Sequence, residues 1–88
     1  MTQAVPPLSL DTLTVGAAAT VTQVAASEAG DDGISLSRRL MELGFVPGEK
    51  VRLLKRGMPG GEPLAVKVGN ATFALRRFEA ALISIQPE

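Results

Sequence analysis

The sequence predicts a mainly-β domain: a small closed or partly closed barrel of about five short strands, with one short helix between the first and second strands. Two observations carry this expectation. Short runs rich in β-branched residues alternate in polarity with period two and recur every ~8–12 residues between Gly, Pro and Asn turn signals. A single segment breaks that rhythm with the 3.6-residue period of a helix.

The elements follow in order. Pro6 and Pro7 close a flexible N-terminal tail, residues 1–7, and the domain runs over residues 8–86. Leu8, Leu10 and Leu13 supply apolar anchors ahead of Gly16. ATVTQVA, residues 19–25, reads as the first strand, and SEAGDDG, residues 27–33, as a polar loop. Ser35 is placed as the N-cap of a helix in which Leu36, Leu40 and Leu43 share one face. Gly44 fits the left-handed position just past its end, and Phe45 packs back on Leu40 in a Schellman arrangement. At about two turns, such a helix holds only with a sheet to cover.

A Pro47-Gly48 turn leads into the strand Lys50–Arg56, with Val51 and Leu53 on one face and Arg52 on the other. GMPGGEP, residues 57–63, is a loop. Leu64, Val66 and Val68 alternate with Ala65 and Lys67 in a half-buried strand. Gly69-Asn70 marks a two-residue hairpin, with Phe73 and Leu75 pointing inward on the return. RRFEA, residues 76–80, makes a tight turn or single helical turn, and Ala81, Ile83 and Ile85 supply the last strand.

Composition bounds the chemistry. The chain has 88 residues and is 45% apolar, with no Trp or Tyr and three Phe, so its core is thin and aliphatic. It has neither Cys nor His. Disulfides, thiolate or imidazole nucleophiles and soft-metal ligand sets are therefore excluded, and no paired catalytic constellation stands out among the remaining groups. An enzyme is not expected, nor is a cofactor. No signal peptide or membrane-spanning stretch is read, which gives the expectation of a cytoplasmic, soluble protein without direct membrane insertion.

Net charge is zero, but every Lys and Arg lies at or after Arg38, where nine positive charges meet five negative ones. Such polarity suits electrostatically oriented docking.

The ordered dipeptides of residues 39–80 resemble the FeoA family of bacterial ferrous-iron transport accessory proteins. They are Arg39-Leu40, Leu43-Gly44, Pro47-Gly48, Gly61-Glu62-Pro63, Leu75-Arg76 and Glu79-Ala80, and the leading SLDTLTVGAAATVTQV is similar too. The resemblance covers residues 8–86. It implies an SH3-like β-barrel and a cytosolic protein that works with a large membrane ferrous iron transporter carrying a cytosolic GTP-binding domain. The acidic loop ahead of the helix departs from the family by its length.

The core does not need Arg38 or Arg39, so these are candidates for a partner's carboxylates or phosphates, with Glu42 beside them. Met58 and Pro59 offer an adaptable contact in a glycine-rich loop. Of Arg76 and Arg77, one is read as a structural arginine bonding carbonyls at the turn and the other as joining Arg38 or Lys55 in a basic patch. An arginine reaching a partner's phosphates, Arg38, Arg39 or Arg77, is one form this takes. No physiological metal site is expected; a weakly held divalent ion would be collected by Glu28, Asp31 and Asp32.

The alternative reading is the SH3-like regulatory module of a metal-dependent transcriptional regulator. Autonomous nucleic-acid binding is not expected at zero net charge without Trp or Tyr to stack on bases, and proline-rich peptides lack an aromatic groove here. Weak homo-oligomerisation through an exposed strand edge is compatible with the sequence, which marks no strand for it.

Overall fold

A computed structural model describes residues 8–25, 31–58 and 60–88, and the backbone alone for residues 31–35. In chain order the elements are β1 (Leu8–Ser9), a 3-10 turn (Leu10–Thr12), β2 (Ala18–Val24), α1 (Asp31–Leu43), β3 (Lys50–Arg56), β4 (Leu64–Val68), β5 (Ala71–Leu75), α2 (Arg77–Ala80) and β6 (Ile83–Pro87).

The strands form one six-stranded sheet in the order β1-β6-β2-β3-β4-β5, antiparallel at every pairing. This corrects two expectations. There are six strands rather than about five, because Leu8–Ser9 pairs with Ser84 and Ile85 instead of serving only as an apolar anchor. The extra strand also places the helix between the second and third strands. The sheet is open rather than a closed or partly closed SH3-like barrel, since β1 and β5 lie at opposite edges and do not pair. Closure needs strands long enough to meet around the tilt, and β1 runs into its 3-10 turn after two residues.

The helix is also longer than its apolar periodicity indicated. It begins at Asp31, so Ser35 lies inside it and is not its N-cap, and Asp31–Gly33 belong to the first turn rather than to a loop. Aspartate is favoured in a first turn by the helix dipole, a preference that competes with its loop signal. The C-terminal end forms as the sequence indicates. Gly44 adopts φ +118°, Phe45 N–H donates to Leu40 O at 3.1 Å, and Gly44 N–H donates to Met41 O at 3.1 Å. That is the Schellman pair of bonds, and it delivers Phe45 into the core with none of its surface exposed.

Core positions follow the period-two reading of β3 to β6. Val51, Leu53, Leu64, Val66, Leu75, Ile83 and Ile85 are buried, while Arg52 and Lys67 face out. Leu10 and Leu13 close one end and Leu40 and Phe45 another, and among the described residues the core holds no polar side chain. Burying Phe45 contributes ~1.5–3 kcal/mol by area, and its ring meets Phe73 edge-on-tilted at 6.1 Å.

One departure from strict alternation matters. The β3–β4 register shifts between Leu53 and Lys55, leaving Leu54 as an extra residue. Beyond this bulge Arg56 pairs with the buried Leu64 and shares its face. Arg56 Nη2 then donates to Asp11 O at 2.5 Å and Leu13 O at 2.9 Å, clamping the 3-10 turn.

Candidate functional site

Four separate segments converge on one open groove of about 580 Å³, lined by Arg39, Glu62, Pro63, Ala74, Arg76 and Glu79. Arg39 comes from the exposed side of α1, Glu62 and Pro63 from the loop before β4, Ala74 from β5, Arg76 from the N-cap of α2 and Glu79 from within it. Thus Arg39 and Arg76, 37 positions apart in sequence and both candidates from it, meet at one site.

The groove is held by the loop and the short helix together. Arg77 N–H donates to Glu62 Oε2 at 2.6 Å, and Arg77 Nη2 donates to Gly60 O at 2.9 Å. Arg76 N–H donates to Glu79 Oε1 at 2.7 Å. This is one half of a capping box: Glu79 reaches back to the N-cap, and an arginine there has no acceptor to complete the exchange. Each groove carboxylate therefore accepts a backbone N–H at one of its two oxygens. Neither Arg39 nor Arg76 has an ion-pair partner among the described residues, where the pair formed is Lys50–Glu88 at 3.3 Å.

The loop can lie this close because of Gly57. Its N–H donates to Pro63 O at 2.8 Å, and a Cβ placed on it would stand 2.3 Å from Glu62 O. The Glu62–Pro63 peptide bond is cis.

Arg77 is thus a structural staple whose guanidinium is engaged with the loop. Arg38 and Glu42 are exposed on α1 but do not line the groove, and Met58 is 91% exposed at the loop. Pro59 and Glu28 lie outside the described residues, and Asp31 and Asp32 are described by backbone alone. No group of three or more metal-ligating side chains gathers among the described residues, and no helix there is long and apolar enough to cross a membrane.

Sequence reasoning missed Pro63, Ala74 and Glu79 as groove residues. The spacing Arg76-x-x-Glu79 was the available signal for one of them, since a capping carboxylate stands three positions after its N-cap. It also missed Phe78, which is 58% exposed on α2.

A second recess lies on the outer face of β3 and β4, among Lys50, Arg52 and Lys67. Two of its three cations are engaged: Lys50 pairs with Glu88, and Arg52 Nη1 donates to Gly16 O at 2.6 Å.

Comparison with known proteins fits this arrangement. The model of the FeoA domain matches residues 8–87. FeoA of Stenotrophomonas maltophilia, solved with zinc and described as a prokaryotic SH3-domain protein suggested to activate ferrous iron transport, is 43% identical. The match covers 90% of this chain and 89% of that one, with a TM-score of 0.79. FeoA of Chlorobium tepidum is 36% identical over 91% of this chain and 70% of that one, with a TM-score of 0.74. A manganese-dependent transcriptional repressor is 21% identical over 98% of this chain and 44% of its own, with a TM-score of 0.75, a likeness of fold alone. No curated protein matches the chain. The match runs from β1 to β6 and takes in every residue that lines the groove: the chain belongs to the FeoA family.

Proposed function

We propose that this protein is a non-enzymatic accessory factor of ferrous iron transport that docks through the Arg39–Arg76 groove on a membrane transporter. The docking site on that transporter is its cytosolic GTP-binding domain. Membership of the FeoA family supports the transport role, and the S. maltophilia relative, suggested to activate ferrous iron transport, supports it further. The observation that carries the docking surface is the pair of guanidiniums in one open groove whose carboxylates are already bonded to backbone. Two exposed arginines without ion-pair partners among the described residues favour an acidic or phosphate-bearing contact.

Arg38, Glu42 and Met58 flank this surface as further contacts, together with Pro59, and Arg77 acts by holding the loop. Docking alters transport only by binding two states of the transporter unequally. The test is an amide NMR titration with the transporter's GTP-binding domain, loaded with GDP or with a non-hydrolysable GTP analogue. Shifts centred on Arg39, Glu62, Ala74 and Arg76, lost in the Arg39→Glu/Arg76→Glu variant, are the expected result. A titration with undiminished affinity in that variant would falsify the groove as the docking surface.

A further inference from the structure

We infer that the free edge of β5 is a self-pairing site, where a second copy of this chain adds its own β5 antiparallel to form one sheet through two molecules. The two edges of the sheet differ in protection. Edge strands are ordinarily blunted by shortness, charge, proline or a bulge. β1 is two residues long and ends in a 3-10 turn. β5 has none of these devices: its sequence is Ala-Thr-Phe-Ala-Leu, and it pairs with β4 over Ala71–Leu75 without a register shift. No hydrogen bond outside the ladder reaches Ala71–Leu75 among the described residues, and Thr72 and Ala74 are exposed.

The hairpin sets which backbone groups point outward. Val68 and Ala71 flank a two-residue turn in which Gly69 has φ +59° and no other residue has positive φ. Gly at the first central position is the type II′ arrangement, and it makes Val68↔Ala71 a hydrogen-bonded pair. Alternation along an antiparallel ladder then makes Phe73 and Leu75 bonded toward β4, while Thr72 and Ala74 turn N–H and C=O away from it.

These outward groups are self-complementary. An antiparallel strand related by a two-fold axis at Phe73 sets Thr72 opposite Ala74 of the second copy, and Ala74 opposite its Thr72. Each such pair exchanges N–H···O=C bonds in both directions. The same patch on both molecules is what a closed two-fold dimer requires. The pairing brings no charge against a like charge within Ala71–Leu75, and the outer side chains at 72 and 74 are small. A five-residue seam is well short of the ~1,000 Å² that marks a stable interface, so the dimer is weak and concentration-dependent. Ala74 also lines the groove, so a copy seated on β5 covers one wall of it and competes with docking. That consequence rests on the proposed docking, whereas the pairing does not.

The experiment is sedimentation velocity with amide hydrogen exchange on the full chain, from micromolar to millimolar protein without any transporter present. Self-pairing predicts a monomer–dimer equilibrium, with exchange at Thr72 and Ala74 about tenfold slower in the concentrated sample than in the dilute one. Thr72→Pro removes an outward N–H without touching the β4 ladder and is tolerated at such an edge position. It abolishes the dimer while leaving the thermal midpoint within a few degrees of the parent. Ala74→Lys keeps the backbone intact, places a charge in the seam of each copy, and gives the same loss should the proline variant not fold. A monomer across the whole range, concentration-dependent protection in another strand, or an undiminished dimer in a folded variant would each overturn the inference. Loss of docking with the dimer intact bears on the groove alone.

Discussion

Two groups of arginines occupy the described structure, and they do opposite things. Arg52 and Arg56 turn their guanidiniums onto carbonyls of Gly16, Asp11 and Leu13, tying the segment between β1 and β2 to β3. Arg39 and Arg76 sit in the groove with no ion-pair partner among the described residues, and the carboxylates near them are engaged with backbone N–H groups. Arg77 stands between the groups, bordering the groove while its guanidinium staples the loop. An arginine already bonded to the protein's own backbone is part of the frame. One held beside carboxylates that already accept a backbone N–H is available to a partner.

The sharpest test of the frame is Gly57→Ala. A methyl group there meets Glu62 O at 2.3 Å, and the obstacle is backbone, so the β3–β4 connection must move. We expect a loss of ~3 kcal/mol, the upper range for overpacking, seen as a fall in Tm of about 15 °C for a domain of this size. Groove binding weakens with it, because Glu62 and Pro63 shift.

Next in size is Arg56→Ala, which leaves Asp11 O and Leu13 O without their charged donor. The expected cost is ~2 kcal/mol in urea unfolding, with the docking affinity of the folded protein unchanged. Arg56→Lys recovers part of it, since an ammonium lacks the planar fork that spans both carbonyls. A stability equal to wild type in Arg56→Ala would remove the distinction between the two groups.

Arg77→Ala has a smaller effect, ~0.5–1 kcal/mol, because its bond to Gly60 O is exposed to solvent. Amide exchange in residues 57–63 should nonetheless accelerate. Smallest in stability is Arg39→Glu/Arg76→Glu, expected within ~0.5 kcal/mol of wild type while docking is lost. Comparable destabilisation by Arg56→Ala and the double groove variant would show that the groove arginines also belong to the frame.

Much of the fold was legible in the sequence because the relevant physics is local. Alternation of Leu64, Val66 and Val68 against Lys67 marks a half-buried strand wherever it pairs, and Leu40, Gly44 and Phe45 specify a helix stop within six residues. Arg39 was legible as a residue the core does not need, and Arg76 as one of an arginine pair of which one member is structural. Their meeting was not, since it depends on where the β4–β5 hairpin delivers Arg76 relative to α1.

What the sequence determined by itself was the strand-rich class, the aliphatic core, the end of α1, the hairpin at Gly69-Asn70 and the exclusion of thiol and imidazole chemistry. Only the tertiary structure decided four further features. Pairing with β6 makes Leu8–Ser9 a strand, and the unequal lengths of β1 and β5 leave the sheet open. The extra residue at Leu54 turns Arg56 onto the 3-10 turn, where a strict period-two count would aim it outward. Finally, backbone N–H groups bond one oxygen of each of the groove's carboxylates, on Glu62 and Glu79. Apart from the local Arg76–Glu79 bond, each of these rests on partners more than ten residues away, and a side chain's role is set by which of its neighbours are already bonded.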